Sequence, residues 1–243
     1  MFFKSATDRL MENCQLDVPG NPAIKIALRV SKRARRLSLR VSRLDGRVTL
    51  TVPVGTRRRE AEGFARERAD WIRNHLADTA SPERPSIGST LPFRGADVEI
   101  TRGTARTVRL NGHHLELPPG EASRDAIRIE SFLKEQARAA LVAASDHYSA
   151  ALGLPYASVT LRDTRSRWGS CSARGNLSYS WRLIMAPPEV LDYVAAHEVA
   201  HLRHMDHSSA FWSQVEALCP GYDTPRRWLR DHGTALHRFR FRD

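Results

Sequence analysis

The stretch AAHEVAHLRHMDH, residues 195–207, is the part of the chain from which its fold and chemistry can be inferred. It contains His-Glu-x-x-His, with His197 and His201 four residues apart. On a helix, positions i and i+4 lie roughly 40° apart around the axis, so both imidazoles face one point, as two zinc ligands do. Glu198 lies beside them, within reach of a water activated by the metal. The stretch therefore predicts a helix with a zinc site and Glu198 as general base.

A catalytic zinc needs a third protein ligand, and two further histidines follow the motif. His204 is close to His197 around the axis but about 10 Å farther along a straight helix. His207 reaches the metal only if the helix ends near residues 205–206 and the chain turns back, with Ser208 capping the next helix. We favour His207, and His204 remains the alternative. A third interpretation makes these histidines a solvated helix face without metal.

The segment resembles the YgjP-like metallopeptidases, relatives of the SprT-type zincins. The resemblance rests on HEVAHL (197–202), HMDHS (204–208), the pair Phe211 and Trp212, and a second signature, RSRWGSCS (165–172). It extends from about residue 24 to residue 236, with dense matches from residue 158 onward. It implies that His197, His201 and His207 bind the metal. The family commonly has Asn where this chain has Asp206, a difference that lies directly beside the third ligand.

The composition limits the class of partner and the compartment. The formal net charge is +11, which favours acidic partners, nucleic acid included. The basic run RVSKRARR (29–36) either contacts phosphates or acidic peptides, or protects a sheet edge. The three cysteines form no Cys-x-x-Cys pair, which favours a reducing cytoplasm. No apolar run is long enough for a signal peptide or a membrane span, so we expect no membrane association.

The patterns along the chain predict three parts: a loose leader over residues 1–20, a β-meander with a helix over 21–85, and a zincin-like metallopeptidase domain over 86–243. In the second part, alternating apolar residues predict an antiparallel meander with a hairpin turn at Asp45 and Gly46. Thr56 is a candidate cap for one helix that extends to about Ala77, with its aromatic side chains in the core.

The third part begins with short strands around residues 97–101, 107–110 and 114–117. A long helix is expected from Ser123 or Arg124 to about Leu152, and then a strand over residues 158–162. An alternating strand over residues 177–185 leads to the zinc helix and forms a hairpin beside the metal. Two further helices are expected, over residues 208–218 and from Thr224 to about Leu236. The predicted fold class is α+β, with a small antiparallel or mixed sheet and the HExxH helix.

Other residues are candidates for substrate contact or have competing interpretations. Arg165 and Arg167 either bind a substrate carboxylate or phosphate, or hold their loop to carboxylates of the fold. Cys171 is either a nucleophile or a structural thiol, and we favour the thiol because a Cys-His enzyme leaves the motif spacing unexplained. His232 and His237 are expected at the surface. The substrate-binding candidates are Arg165, Arg167, Trp168 and Tyr179, and the oxyanion candidates are Tyr179, Tyr193 and Arg165.

The sequence thus favours a metallopeptidase with one Zn²⁺ per chain that hydrolyses a protein or peptide substrate. Two alternatives remain open. One is a DNA-associated protease of the SprT type that acts on DNA-bound proteins. The other is a non-catalytic module in which zinc is only structural.

Overall fold

The computed structural model describes residues 15–20, 22–42, 46–77 and 83–242. The chain forms two compact units, Met1–Ser81 and Pro82–Asp243. Both combine strands and helices, so the predicted α+β class is confirmed. No helix within these described ranges has the length and apolar character needed to cross a membrane.

The first unit contains a four-stranded sheet in the order β1-β2-β4-β3. Its strands are β1 (Gln15–Val18), β2 (Ile24–Ser31), β3 (Ser38–Val41) and β4 (Val48–Pro53). β2 and β4 are parallel, so the predicted antiparallel meander is wrong at its centre. These two strands bury every second residue, whereas Leu39 and Val41 of β3 are only half-buried, so the most apolar strands pair in the middle. Alternation identifies the buried face of a strand but not the direction of its neighbour.

The structure also differs from the predicted leader and contains the predicted hairpin turn. β1 lies within the predicted loose leader, and its residues Leu16 and Val18 are buried against β2. The predicted hairpin turn connects β3 to β4, where the Gly46 N–H donates to the Ser42 carbonyl at 2.9 Å. Gly46 has a φ of 65°, a conformation that glycine adopts readily. Asp45 itself lies outside the described residues.

The predicted single helix of the first unit is two helices, α1 (Arg58–Glu67) and α2 (Ala69–Ala77), separated at Arg68. Thr56 is not the cap, because its hydroxyl donates to the Pro53 carbonyl at 2.9 Å and closes the turn after β4. Ile72 is fully buried, but Trp71 is 40% exposed, so the aromatic side chains are not all in the core.

The second unit begins with another four-stranded sheet, in the order β5-β6-β8-β7. Its strands are β5 (Thr90–Phe93), β6 (Ala96–Arg102), β7 (Arg109–Asn111) and β8 (His114–Leu117). The long helix α3 (Asp125–Leu152) follows and confirms the prediction. It buries residues such as Ile129, Leu133 and Leu141 at helical spacing, and Gly153 ends it with a φ of 73°.

A three-stranded sheet follows α3 in the chain, with its strands in the order β10-β11-β9. The strands are β9 (Ser158–Arg162), β10 (Gly169–Cys171) and β11 (Asn176–Ser180). Leu177 and Tyr179 point into the core, and β10 is an edge strand. The predicted strand to residue 185 ends at Ser180, because the next five residues, Trp181–Met185, form a 3₁₀ helix in which every side chain is buried.

Three helices complete the unit: α4 (Pro188–Ala200), α5 (Ser209–Leu218) and α6 (Asp223–His232). Pro188 occupies the first turn of α4, where its missing N–H costs no helical hydrogen bond. α6 ends four residues before Leu236, and a 3₁₀ helix, Gly233–His237, follows it. Helix α4 contacts α3, α5, α6 and β10, so the motif lies between the core and the edge of the three-stranded sheet.

Candidate active site

Three of the four histidines in the motif segment converge on one point. One ring nitrogen from each of His197, His201 and His207 lies within 4.8 Å of the others. The Nε2 atoms of His197 and His207 are 3.2 Å apart. No other group of three or more metal-binding side chains occurs among the described residues.

The convergence depends on where α4 ends. The helix stops at Ala200 and His201 is its C-cap, so the expected end near residues 205–206 is wrong by about one turn. The N–H groups of Leu202 and Arg203 donate to carbonyls three residues back, which tightens the chain into a turn. The turn brings His207 back toward His197. Ser208 then caps α5 by accepting a hydrogen bond from the Phe211 N–H, as predicted.

His204 contributes its backbone rather than its ring. The Nδ1 of His201 lies 2.8 Å from the His204 carbonyl oxygen, an arrangement in which Nδ1 is the protonated nitrogen and Nε2 keeps its lone pair. On its other side, the His201 ring stacks on Phe211 with ring centroids 4.4 Å apart. Such contacts fix the tautomer and orientation of a metal-binding imidazole.

The protonation of these rings suits a metal. Burial, together with the two neighbouring imidazoles, lowers the pKa of His197 to about 3. Burial also lowers the pKa of His201. Both rings are therefore neutral at physiological pH, which is the form that coordinates metal.

Glu198 is a buried acid beside the histidines. Its side chain is only 5% exposed, and burial raises its pKa to about 8, while the positive charge of Arg167 acts in the opposite direction. Gly169 of β10 lies against it: a Cβ at this position would overlap the Glu198 Cγ and carboxylate. The absence of a side chain at residue 169 thus leaves room for the acid.

A cleft of about 240 Å³ joins these groups. Its walls are β10 and the end of α4, with Met205 and His207 from the turn. The donor set, three imidazole nitrogens on one point with a carboxylate beside them, fits a zinc ion well, because zinc accepts three nitrogen ligands and leaves a position for a reactant. The buried Nδ1 of His197 has no hydrogen-bond partner among the described residues, so this ligand has less support than His201.

Residues 35–232 match the model of the YgjP-like family, described as a metallopeptidase domain. The chain belongs to the YgjP-like metallopeptidase family. Membership makes it a metal-dependent peptidase, and the three histidines of the cleft form a group that could hold a metal ion.

Two other comparisons add little to the family match. Among curated proteins, none matches the chain. The crystal structure of the metallopeptidase zymogen of Pyrococcus abyssi abylysin is 24% identical and covers 37% of this chain and 93% of that one, with a TM-score of 0.34. A similarity at this TM-score supports no conclusion about this chain.

The predicted substrate-binding residues occupy different environments. Arg167 is exposed, and its charge acts on Glu198. Arg165 is exposed in the same loop, and Trp168 is half-buried, with its ring 5.0 Å from that of His237. Tyr179 is fully buried, and its hydroxyl lies 3.0 Å from the Ser145 hydroxyl, so this structure makes it a core residue without access to substrate.

The signature loop that precedes β10 is held by residues that we did not select from the sequence. Arg182 is buried and pairs with Asp163 at 2.6 Å. It also donates to the carbonyls of Leu236 and Phe239, so it holds the loop and the C-terminal segment together. Such a bidentate arginine is well suited to fixing a loop. Arg182 thus has a loop-holding role of the kind considered for Arg165 and Arg167.

The two histidines expected at the surface near the C-terminal end of the sequence differ in burial. His237 is buried at 6% exposure, not at the surface as expected, whereas His232 is exposed.

Burial and the charge of Glu198 raise the pKa of the Cys171 thiol to about 11. A thiol with this pKa is a poor nucleophile near neutral pH, in agreement with the structural interpretation.

Proposed function

We propose that the chain is a zinc-dependent peptidase in which Glu198 is the general base. The observation that carries the proposal is the convergence of three imidazole nitrogens within 4.8 Å, in a cleft that also contains a buried carboxylate. His197, His201 and His207 would hold one zinc ion per chain. When bound, the metal would supply a Lewis acid that polarises the scissile carbonyl and makes water more acidic.

Glu198 would move the proton. Its burial makes the carboxylate a strong proton acceptor for its type, since the pKa of about 8 lies near neutral pH. A proton taken by the carboxylate from the attacking water would be passed to the amine that leaves. Arg167 contributes a positive charge that favours the ionised, proton-accepting form and partly offsets the effect of burial.

The edge strand β10 would bind the substrate backbone. It pairs with β11 on one side only, and its three residues line the cleft that contains Glu198. An extended peptide can add to such an edge through main-chain hydrogen bonds. This arrangement favours an unfolded protein or a peptide as the substrate, because its backbone groups are free to pair with an edge strand.

The direct test combines metal content with proteolysis. Purified protein should carry about one zinc per chain, and it should cleave an unfolded test protein. Glu198→Gln should keep the zinc and the fold but lose about 100-fold or more in turnover, because the amide cannot accept a proton. Unchanged turnover would show that another group is the base. If the parent protein carries zinc but never cleaves protein, the non-catalytic module is the better description.

We propose, as a second candidate, a DNA-associated protease whose first unit binds nucleic acid. The outward face of the N-terminal sheet carries Lys25, Arg29 and Arg40, all exposed. The segment after β2 adds four exposed cations, Lys32, Arg33, Arg35 and Arg36. No carboxylate is ion-paired with these side chains in the described part of the chain. A surface of this charge suits phosphate contacts.

A gel-shift experiment separates this candidate from a general peptidase. Neutralising Arg33, Arg35 and Arg36 should abolish the shift of a DNA duplex at moderate salt. The matched control removes three arginines from α1, namely Arg58, Arg59 and Arg66. Equal losses in both variants would mean that only net charge is sensed, and no shift by the parent protein would reject DNA association.

A further inference from the structure

A second, larger cleft lies next to the metal cleft in the Pro82–Asp243 unit. It has a volume of about 610 Å³ and shares Gly169, Ser170 and Cys171 with the metal cleft. The strand β10 therefore borders both. A peptide bound along β10 would present its scissile bond to the metal cleft and neighbouring side chains to the larger cleft.

The floor of this cleft is the polar face of the three-stranded sheet. Strand register places Thr160 beside Ser178, and Ser178 beside Ser170, so the three hydroxyl side chains form one row across the sheet. Side chains on a neighbouring strand continue such a row, because residues on one face lie opposite one another. A substrate strand added at β10 would continue the row with its own outward-facing side chains.

Two arginines give the cleft its charge. Arg162 and Arg167 both line it, and both are exposed. Among the described residues, no aspartate or glutamate contributes to the lining. Neither guanidinium has a carboxylate partner among the residues that the structure describes, in contrast to Arg182, which is paired with Asp163 in the same loop region. The cleft is therefore hydroxyl-rich and positively charged, and its cations are available to a ligand.

We propose that this cleft is a specificity subsite for an acidic side chain, aspartate or glutamate, near the scissile bond of the substrate. Arg162 ends β9, at the opposite edge of the sheet from β10, so an acidic side chain would reach it across the hydroxyl row. It is the specificity-determining residue, since it lines only this cleft, whereas Arg167 also acts on Glu198. The inference rests on the proposed peptidase function and specifies its substrate class. Guanidinium groups recognise carboxylates through paired hydrogen bonds, and the hydroxyl row supplies further donors.

The experiment measures binding and cleavage separately. The probes are labelled peptides in which a single Glu is moved through an otherwise neutral sequence, each matched by a peptide with Gln at that position. Binding is measured by fluorescence anisotropy on zinc-loaded Glu198→Gln protein, and cleavage is measured on the parent enzyme. At one or two positions the Glu peptide should bind and be cleaved about tenfold better, and the difference should shrink as salt rises from about 0.05 M to about 0.5 M.

The variant Arg162→Gln should reduce that preference to about threefold or less. The matched control is Arg174→Gln, which removes the same charge from the exposed turn between β10 and β11, outside both clefts. It should keep the preference. Thermal melting of both variants shows that the fold is intact.

Three other outcomes would decide between the acidic subsite and its alternatives. Equal binding of Glu and Gln peptides, or a preference that survives Arg162→Gln, overturns the inference. A preference seen only for peptides with a free C-terminal carboxylate, and lost on amidation, assigns the cleft to the chain end and rejects the internal acidic residue. Selective binding that depends on Arg162, without cleavage by the parent enzyme, supports the subsite while rejecting the proposed peptidase function.

Discussion

Gly169 and Glu198 are in such close contact that no side chain fits between them. Any Cβ at residue 169 would overlap the acid, and Glu198 is too buried to swing into solvent. The edge strand β10 can pack this closely against helix α4 because residue 169 is a glycine. The position of the proposed general base depends on a residue that is about thirty positions away in the sequence.

Gly169→Ala should therefore displace the Glu198 carboxylate and lower kcat by about tenfold or more, while zinc content is unchanged. Steady-state kinetics and metal analysis on the same preparation measure the two effects. The control is Gly63→Ala on α1, where an added Cβ meets nothing within 4 Å. That change should leave kcat unaltered and stabilise the helix by up to about 1 kcal/mol. Equal kcat for Gly169→Ala and the parent enzyme would contradict the proposed role.

The two remaining histidines of the segment should respond differently to alanine. His207→Ala removes a ring from the three-imidazole cluster, so zinc affinity should fall by far more than 100-fold. His204→Ala keeps the backbone carbonyl that binds the His201 Nδ1. The His204 variant should lose no more than about tenfold in zinc affinity, the lower end of the range for residues that support a metal ligand. Competition with a zinc chelator measures both, and a larger loss for His204→Ala would refute this ligand assignment.

Phe211 supports all three rings. Its ring lies 4.4 Å from that of His201 and 4.9 Å from those of His197 and His207, and it is fully buried. Phe211→Leu keeps most of the apolar volume but removes the flat surface against the imidazoles, so zinc affinity should fall by about 10-fold to 100-fold. Phe239→Leu, at a similarly buried site, serves as the control for core loosening. Equal zinc affinities in the two variants would show that the packing does not orient the ligands.

The metal-binding half of the site could be read from local sequence. Once a helix is assumed, the spacing of His197 and His201 directs both imidazoles to one point, and Ser208 before Phe211 marks the start of the next helix. What local patterns could not supply was the end of α4. That end depends on a carbonyl of the following turn accepting a hydrogen bond from a ring of the motif, a contact made only in the folded chain.

The rest of the site is positioned by tertiary contacts, which local sequence patterns do not predict. Tyr179 was a candidate for substrate contact, but it shares the buried face of β11 with Leu177, and its contact with Ser145 places it in the core. The parallel pairing of β2 with β4 escaped prediction for a related reason, because alternation reports burial and not partner order. The role of Gly169 could have been suspected from a glycine inside a strand, which often marks a close approach of another group.

The last prediction concerns His237, a buried histidine that contacts the Trp168 ring of the signature loop. Burial lowers its pKa to about 4, and the positive charge of Arg182 adds to this effect. In the unfolded chain the pKa is about 6.5. Between these values the unfolded chain binds more protons than the folded one, so stability is full above about pH 6.5 and is lost as the pH falls toward 4.

This linkage should cost about 2 kcal/mol of unfolding free energy between pH 7.5 and pH 5. Denaturant unfolding of metal-free protein at both pH values excludes any contribution from acid-induced zinc loss. The parent loses more than the His237 share, because burial also lowers the pKa of His197 and His201, so the difference between the parent and a His237 variant isolates that share. His237→Gln should be less stable at pH 7.5 but lose about 2 kcal/mol less on acidification than the parent. The control, His232→Gln, changes an exposed ring and should leave the parent pH dependence intact. If His237→Gln and the parent lose equal stability on acidification, His237 does not titrate as its burial requires.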